Sequence, residues 1–422
     1  DSQEGKDILE FTTSGSISDE NLFQLQGSGI KGLQLSSTGQ NSVKLGEYSS
    51  GTFNSVRGGS ATDVIDMTGR TGSTSVSTGA GSDTIVVSNK SSADTISGQS
   101  GTDILQISSA ALLGNSISHI SGGSNQDTLL LTDSLNTNGQ ELFSNLAKAI
   151  SLDKLQLADG GNNVILGSKS QRALTDEVIG GKGSDSIVAN SSIFKALRLD
   201  GGDGNDTLVG GAGNDTLIGG NDNDSLVAGA GIDSLSGGAG LDTFVIDAGE
   251  FRDSDVIDGG SNIGGVDTLQ ILGNSSVQDM AFKGVKGIET LQIVGNNSST
   301  EKISVALGSL ARASGIKDVL ISDSGGVSVD LSQFGSSITV TGGLGADSVV
   351  GSSRNDSIFG GAENDYIKGN AGLDSIDGGS GSDTVDYSDK KESVVINLSG
   401  TATNGFVDVT VGGAVEDVIK DI

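Results

Sequence analysis

Ten aspartates recur at nine-residue intervals in two uninterrupted runs: Asp206, Asp215, Asp224, Asp233 and Asp242, then Asp347, Asp356, Asp365, Asp374 and Asp383. Two positions after each stands an apolar residue: Leu208, Leu217, Leu226, Leu235 and Phe244 in the first run, Val349, Ile358, Ile367, Ile376 and Val385 in the second. Carboxylates in this number are not the single pair of acids that glycoside hydrolysis uses. Repeated at one spacing among glycines, they suit a hard cation, which takes ~6–8 carboxylate and carbonyl oxygens at roughly 2.3–2.6 Å. Calcium fits that donor set, whereas magnesium demands a smaller, stricter octahedron and substitutes poorly. The expected metal ligands are the ten aspartates, Asp185 in an isolated unit of the same form, and turn carbonyls such as those of Gly204 and Gly213.

The elements that must place these oxygens follow from the glycines. The first run reads GGDGNDTLV, GGAGNDTLI, GGNDNDSLV, AGAGIDSLS and GGAGLDTFV from Gly201. The second reads GGLGADSVV, GSSRNDSIF, GGAENDYIK, GNAGLDSID and GGSGSDTVD from Gly342. The first six positions of a unit turn sharply, and glycine reaches backbone angles closed to other residues. The last three form a short strand whose central apolar residue points inward. Two units make one coil, so turns eighteen residues apart stack. Asp206, Asp224 and Asp242 are expected on one edge, with Asp215 and Asp233 on the other. In the second run Asp347, Asp365 and Asp383 face Asp356 and Asp374 in the same way.

A nonapeptide GGxGxDxUx of this kind resembles the calcium-binding repeat of the RTX (repeats-in-toxin) family of type I secretion substrates. The strict resemblance covers about a quarter of the chain. It implies an all-β fold: an elongated, right-handed parallel β-roll or β-solenoid with two calcium-binding blocks and one or two short helices. It also implies a secreted protein that folds on meeting extracellular calcium. The alternation of long β-coils with repeat blocks is most like a segment of a surface-layer or hemolysin-like cell-surface protein. Calcium, further copies of itself and cell-surface components are the expected partners. The alternative is the secretion and folding module of an exoenzyme, toxin or large adhesin whose active domain lies outside these residues.

Along the chain, residues 1–179 read as irregular β-solenoid with degenerate coils, 180–247 as the first repeat block and 248–341 as a solenoid spacer. Residues 342–388 form the second block and 389–422 a C-terminal β segment of what reads as a piece of a longer protein. A helix is expected over 138–150, where Leu142, Phe143, Leu146 and Ile150 follow helical spacing behind Asn138 as a cap. A shorter one is expected over 309–314. Upstream, Asp63, Asp83, Asp103 and Asp127 lie 20, 20 and 24 residues apart in decayed units such as GQSGTDILQ and GGSNQDTLL. That irregular spacing suggests structural coils with little or no metal. Within the blocks, Asp222, Arg354 and Glu363 replace the fourth-position glycine, and Arg354 is expected to cost the second block a cation.

Composition narrows the function classes. The net charge is −30, and only twelve of the 54 acidic residues are glutamate. Such a chain is a poor partner for nucleic acid or anionic lipid. No apolar run is long enough to insert into a membrane. Cysteine is absent, which removes disulfides, thiolate metal sites and cysteine nucleophiles. The one histidine, His119, has no partner nearby in sequence, and neither HExxH nor GxSxG occurs. No catalytic residue is therefore expected.

Overall fold

The computed structural model describes residues 7–47, 49–50, 52–88, 94–114, 117–144, 148–168, 170, 174–261, 265–295, 303–322, 325–396 and 405–422. The chain divides into two units, Asp1–Thr216 and Leu217–Ile422.

In the first unit, strands adjacent in a sheet are not consecutive in the chain. Asp7–Glu10, Ile30–Gln34, Ser55–Arg57, Ser75–Ala80, Asp94–Ser100, Ile117–Ser124 and Lys148–Ile150 make one parallel sheet. The intervening strands, among them Asp63–Asp66, Thr84–Val87, Ile104–Ile107, Thr128–Leu131 and Leu152–Gln156, make a second. Each return of the chain thus lays a strand beside its counterpart from the previous coil, which is a β-solenoid. Register is kept residue by residue: Ile85 pairs with Leu105, and Leu105 with Leu129. All three are fully buried.

The second unit is built alike. Thr243–Asp247, Thr268–Leu272, Thr290–Val294, Asp318–Ile321, Thr339–Thr341, Ser357–Ala362 and Asp374–Ser380 stack in parallel. Their centres form a column, Phe244, Leu269, Leu291, Val319, Val340, Ile358 and Ile376, and every member is buried. Burying one such side chain stabilises by ~1.5–3 kcal/mol. A three-residue strand contributes only one, so a coil depends on its neighbours. The parallel stack ends at Ala414–Lys420, which pairs with Asp374–Ser380 and then turns antiparallel through Val407–Val411 and Val394–Ile396.

The helix expected over 138–150 does not form in the described residues. Asn136–Glu141 is a strand beside Asn163–Leu166, and Lys148–Ile150 a strand beside Ile117–Ser124; Leu146 lies outside the described residues. Asn138, Gly139 and Phe143 have φ of 51°, 78° and 65°, left-handed values that a right-handed helix cannot contain. The strand edges left open by neighbouring coils outbid a weak amphipathic pattern. Ser309–Ser314 is helical as expected and ends on Gly315, at φ 112°. Among the described residues, two further short α-helices, Asp19–Phe23 and Ser109–Leu113, and a 3-10 turn at Asp279–Gly284 were not anticipated. His119 is exposed on its strand.

Candidate metal centre

Position six of each unit sits at the corner where the turn enters the strand, and its carboxylate is drawn inward. Asp185, Asp206, Asp215, Asp224, Asp233, Asp242, Asp347, Asp356, Asp365 and Asp374 are all buried, whereas Asp383, in the last coil, is half-exposed. Within each unit, one oxygen of such a carboxylate accepts the main-chain N–H at the matching corner of the preceding coil. In the first unit Asp185 N–H donates to Asp206 Oδ1 at 2.7 Å and Leu197 N–H to Asp215 Oδ1 at 2.8 Å. In the second unit Asp224 donates to Asp242, Asp347 to Asp365, Asp365 to Asp383 and Asp356 to Asp374, all at 2.8–2.9 Å. The eighteen-residue stacking read from the sequence is therefore present within the second unit.

The ladder continues through residues that the nonapeptide does not flag. Asp242 N–H reaches Asp267, Asp267 N–H reaches Glu289, and Asp233 N–H reaches Asp255. Asp374 N–H reaches Asp417, 43 residues on in the chain. The signal common to Asp255, Asp267, Glu289 and Asp417 is an acidic residue two positions before a buried strand centre: Ile257, Leu269, Leu291 and Ile419.

The second carboxylate oxygen separates the units into two kinds. Asp347 Oδ2 accepts the N–H of Gly343, and Asp356 Oδ2 accepts that of Ser352 at 2.6 Å. The Oδ2 atoms of Asp185, Asp242 and Asp374 are buried and meet no hydrogen-bond donor. They face the first glycine of their own turn. A methyl on Gly180 would stand 2.3 Å from Asp185 Oδ2 and 2.2 Å from the carbonyl oxygen of Gly201 in the next coil. A methyl on Gly219 would stand 2.2 Å from Asp224 Oδ2 and 2.6 Å from Gly237 O. Only glycine leaves this carboxylate and this carbonyl facing one another.

Burial pushes the carboxyls of Asp215 and Asp242 up to about 6 and that of Asp374 to about 7, from an ordinary 3.8. Desolvation is the leading cause in each; Asp417 and Asp267 add repulsion at Asp374 and Asp242 respectively. Buried negative charge facing a carbonyl dipole lacks a positive partner, and a hard cation supplies one. Among the described residues no three acidic, histidine or cysteine side chains converge as a metal cluster. A cation held here draws much of its coordination from main-chain carbonyls, as calcium accepts.

The fourth turn position is left-handed in several units. Gly204 has φ 120°, and Asp222 and Glu363, which stand at the same fourth position, keep φ of 74° and 69°. These two non-glycine residues adopt the glycine conformation at a cost in strain. Gly213 packs its Cα against the main chain of Lys195. The Arg354 side chain is exposed.

Residues 200–235, 218–250 and 350–385 match the RTX calcium-binding nonapeptide repeat (4 copies). No curated protein matches the chain. Among the described residues no helix is long and apolar enough to cross a membrane.

Proposed function

On the premise that this chain is an RTX-family β-solenoid carrying calcium-binding nonapeptide repeats, we propose that it is a calcium-folded structural segment of a secreted cell-surface protein of the surface-layer or hemolysin-like kind. The ions are held along the edges of the repeat blocks by Asp185, Asp206, Asp215, Asp224, Asp233, Asp242, Asp365, Asp374 and Asp383, with Asp347 and Asp356 as weaker contributors. Main-chain carbonyls of the turns, those of Gly204 and Gly213 included, complete the coordination. The observation that carries the reading is the buried Oδ2 of Asp242 and Asp374, which has no donor.

Calcium binding is then part of folding. The short strands bury little apolar area per coil, and stacked carboxylates repel one another until a cation bridges them, so metal free energy is folding free energy. Extracellular calcium modules bind at ~10⁻⁴–10⁻³ M. Sites in that range stay empty in a cytosol and fill outside it, which suits a chain exported unfolded through a type I channel. The role is mechanical and not catalytic.

The test adds millimolar calcium to chelated protein, with magnesium as control, while circular dichroism, light scattering and electron microscopy are followed together. Ordered sheets or fibres that appear with the β-signal support the surface-layer reading. β-structure in a strictly monomeric species supports a secretion or spacer module instead. Full β-structure in excess chelator would refute calcium-coupled folding.

A further inference from the structure

The degenerate coils of the first unit repeat the same oxygen arrangement without repeating the sequence. Asp103 and Asp127 are fully buried. Their Oδ1 atoms accept the N–H of Asp83 at 2.8 Å and of Asp103 at 2.9 Å, so the ladder runs on through 20- and 24-residue coils. Their Oδ2 atoms meet no donor. A methyl on Gly98 would stand 2.1 Å from Asp103 Oδ2 and 2.5 Å from the carbonyl oxygen of Gly122 in the next coil. On Gly122 it would stand 2.4 Å from Asp127 Oδ2 and 2.3 Å from Ser151 O. These values parallel those around Gly219, inside the matched repeats.

The turns agree as well. Gln99 and Gly101 have φ of 76° and 126°, and Gly123 and Asn125 have 122° and 80°. The second and fourth positions are thus left-handed, as in the glycine-rich units, although Gln99 and Asn125 are not glycine. Asp63 shows what a self-sufficient corner looks like: its Oδ1 accepts from Asn41, and its Oδ2 accepts the N–H of Gly59 at 3.0 Å. Among the described residues no basic side chain pairs with Asp103 or Asp127.

We propose that the first unit holds a divalent cation of its own, outside the matched repeats, at the corner formed by Asp103 and Asp127. Their Oδ2 atoms and the carbonyls of Gly122 and Ser151 are the donors, and this all-oxygen, carbonyl-rich set suits calcium over magnesium. The proposal rests on the calcium reading of the repeat blocks, from which it borrows only the ion.

Hydrogen exchange on the full chain separates the two. In chelator, calcium chloride and magnesium chloride, amide exchange is followed in Ile104–Ile107 and Thr128–Leu131 of the first unit and in Thr243–Asp247 of the second. The expected result is a slowing of about tenfold or more in all three strands with calcium alone. The double substitution Asp103→Asn with Asp127→Asn keeps an oxygen for each ladder N–H and removes the charge. It should abolish the calcium response of the two first-unit strands and spare Thr243–Asp247. First-unit strands indifferent to calcium in the unsubstituted protein, while Thr243–Asp247 slows, would overturn this site and leave the repeats standing. So would a calcium response that survives the double substitution. No response in any of the three strands would overturn the repeat reading itself. Should the double variant fail to fold, Asp103→Asn alone decides: it should weaken the calcium response of the two first-unit strands and spare Thr243–Asp247, and an undiminished response would overturn the site.

Discussion

Arg70 and Asp103 are buried charges in the same unit, and their surroundings differ in sign. The Arg70 guanidinium donates to the carbonyls of Ser49 and Phe53 and to the Thr74 hydroxyl, close to Asp94 and Asp19. Burial lowers its pKa, and the two carboxylates act against that shift. Asp94 in turn accepts the N–H of Thr74 at 2.8 Å. Here the cation that carbonyls and carboxylates need is built into the chain. At the corner of Asp103 and Asp127 the same kinds of oxygen gather without one. A solenoid can neutralise a stacked corner covalently, with a side chain, or reversibly, with an ion from solution. Only the second kind can respond to the concentration of that ion.

The largest effect expected from breaking this contrast is at Arg70. Arg70→Met leaves two buried carbonyls and the Asp94 carboxylate without their cation, and removal of one partner from such a set costs ~3–5 kcal/mol. Urea unfolding of the first unit should shift to lower denaturant in saturating calcium as well as in chelator. Rescue by calcium would mean that the corner accepts an ion after all, and the contrast would fall.

A smaller effect separates two corners of the second block. Asp374→Asn should weaken calcium binding about tenfold, since an ionised oxygen with no donor loses its charge. Asp347→Asn should change it by no more than about twofold, because Gly343 and Val327 already donate to both oxygens and their hydrogen bonds compete with an ion for the same lone pairs. Calorimetric titration of the two variants checks the order. Equal losses would show that the hydrogen-bonded aspartate coordinates as well as the other.

The smallest effect is a pH dependence of the metal-free fold. Asp242 and Asp374 titrate near 6 and 7 when folded, against 3.8 ordinarily. Between about 4 and those values the folded state holds protons that the unfolded chain has released, so stability falls as pH rises. Their contribution is fully present below about 4 and is lost as pH rises through 6–7. In chelator the unfolding midpoint should therefore rise as pH is lowered from 7.5 to about 5. In saturating calcium, which holds the carboxylates ionised, the slope should reverse. A flat profile in chelator would mean that these carboxylates are already neutralised by the protein.

Several parts of this architecture were legible in the residues. The spacing from Asp206 to Asp242 and from Asp347 to Asp383 carried the coil length, the inward residues and the corners, because a nine-residue turn and strand admits little variation. The ladder through Asp255, Asp267, Glu289 and Asp417 was not legible in that spacing. An N–H finds whichever carboxylate the next coil brings to its corner, and coil length between corners is free to vary. Asn138–Ile150 failed for a related reason: its apolar spacing fits a short helix, but a strand edge on the neighbouring coil was available only in three dimensions.

By itself the sequence determined the repeat, its glycine turns, the buried column of apolar side chains and the kind of ion that such oxygens attract. These are local consequences of residue type and period. Only the tertiary structure decided which carboxylates were satisfied by the protein. Asp63, Asp347 and Asp356 have donors for both oxygens, and Asp103, Asp127, Asp242 and Asp374 do not. That distinction depends on whether the N–H of the turn's own second residue, Gly59, Gly343 or Ser352, closes onto the carboxylate four positions later, a matter of how each turn settles that the shared residue pattern does not encode.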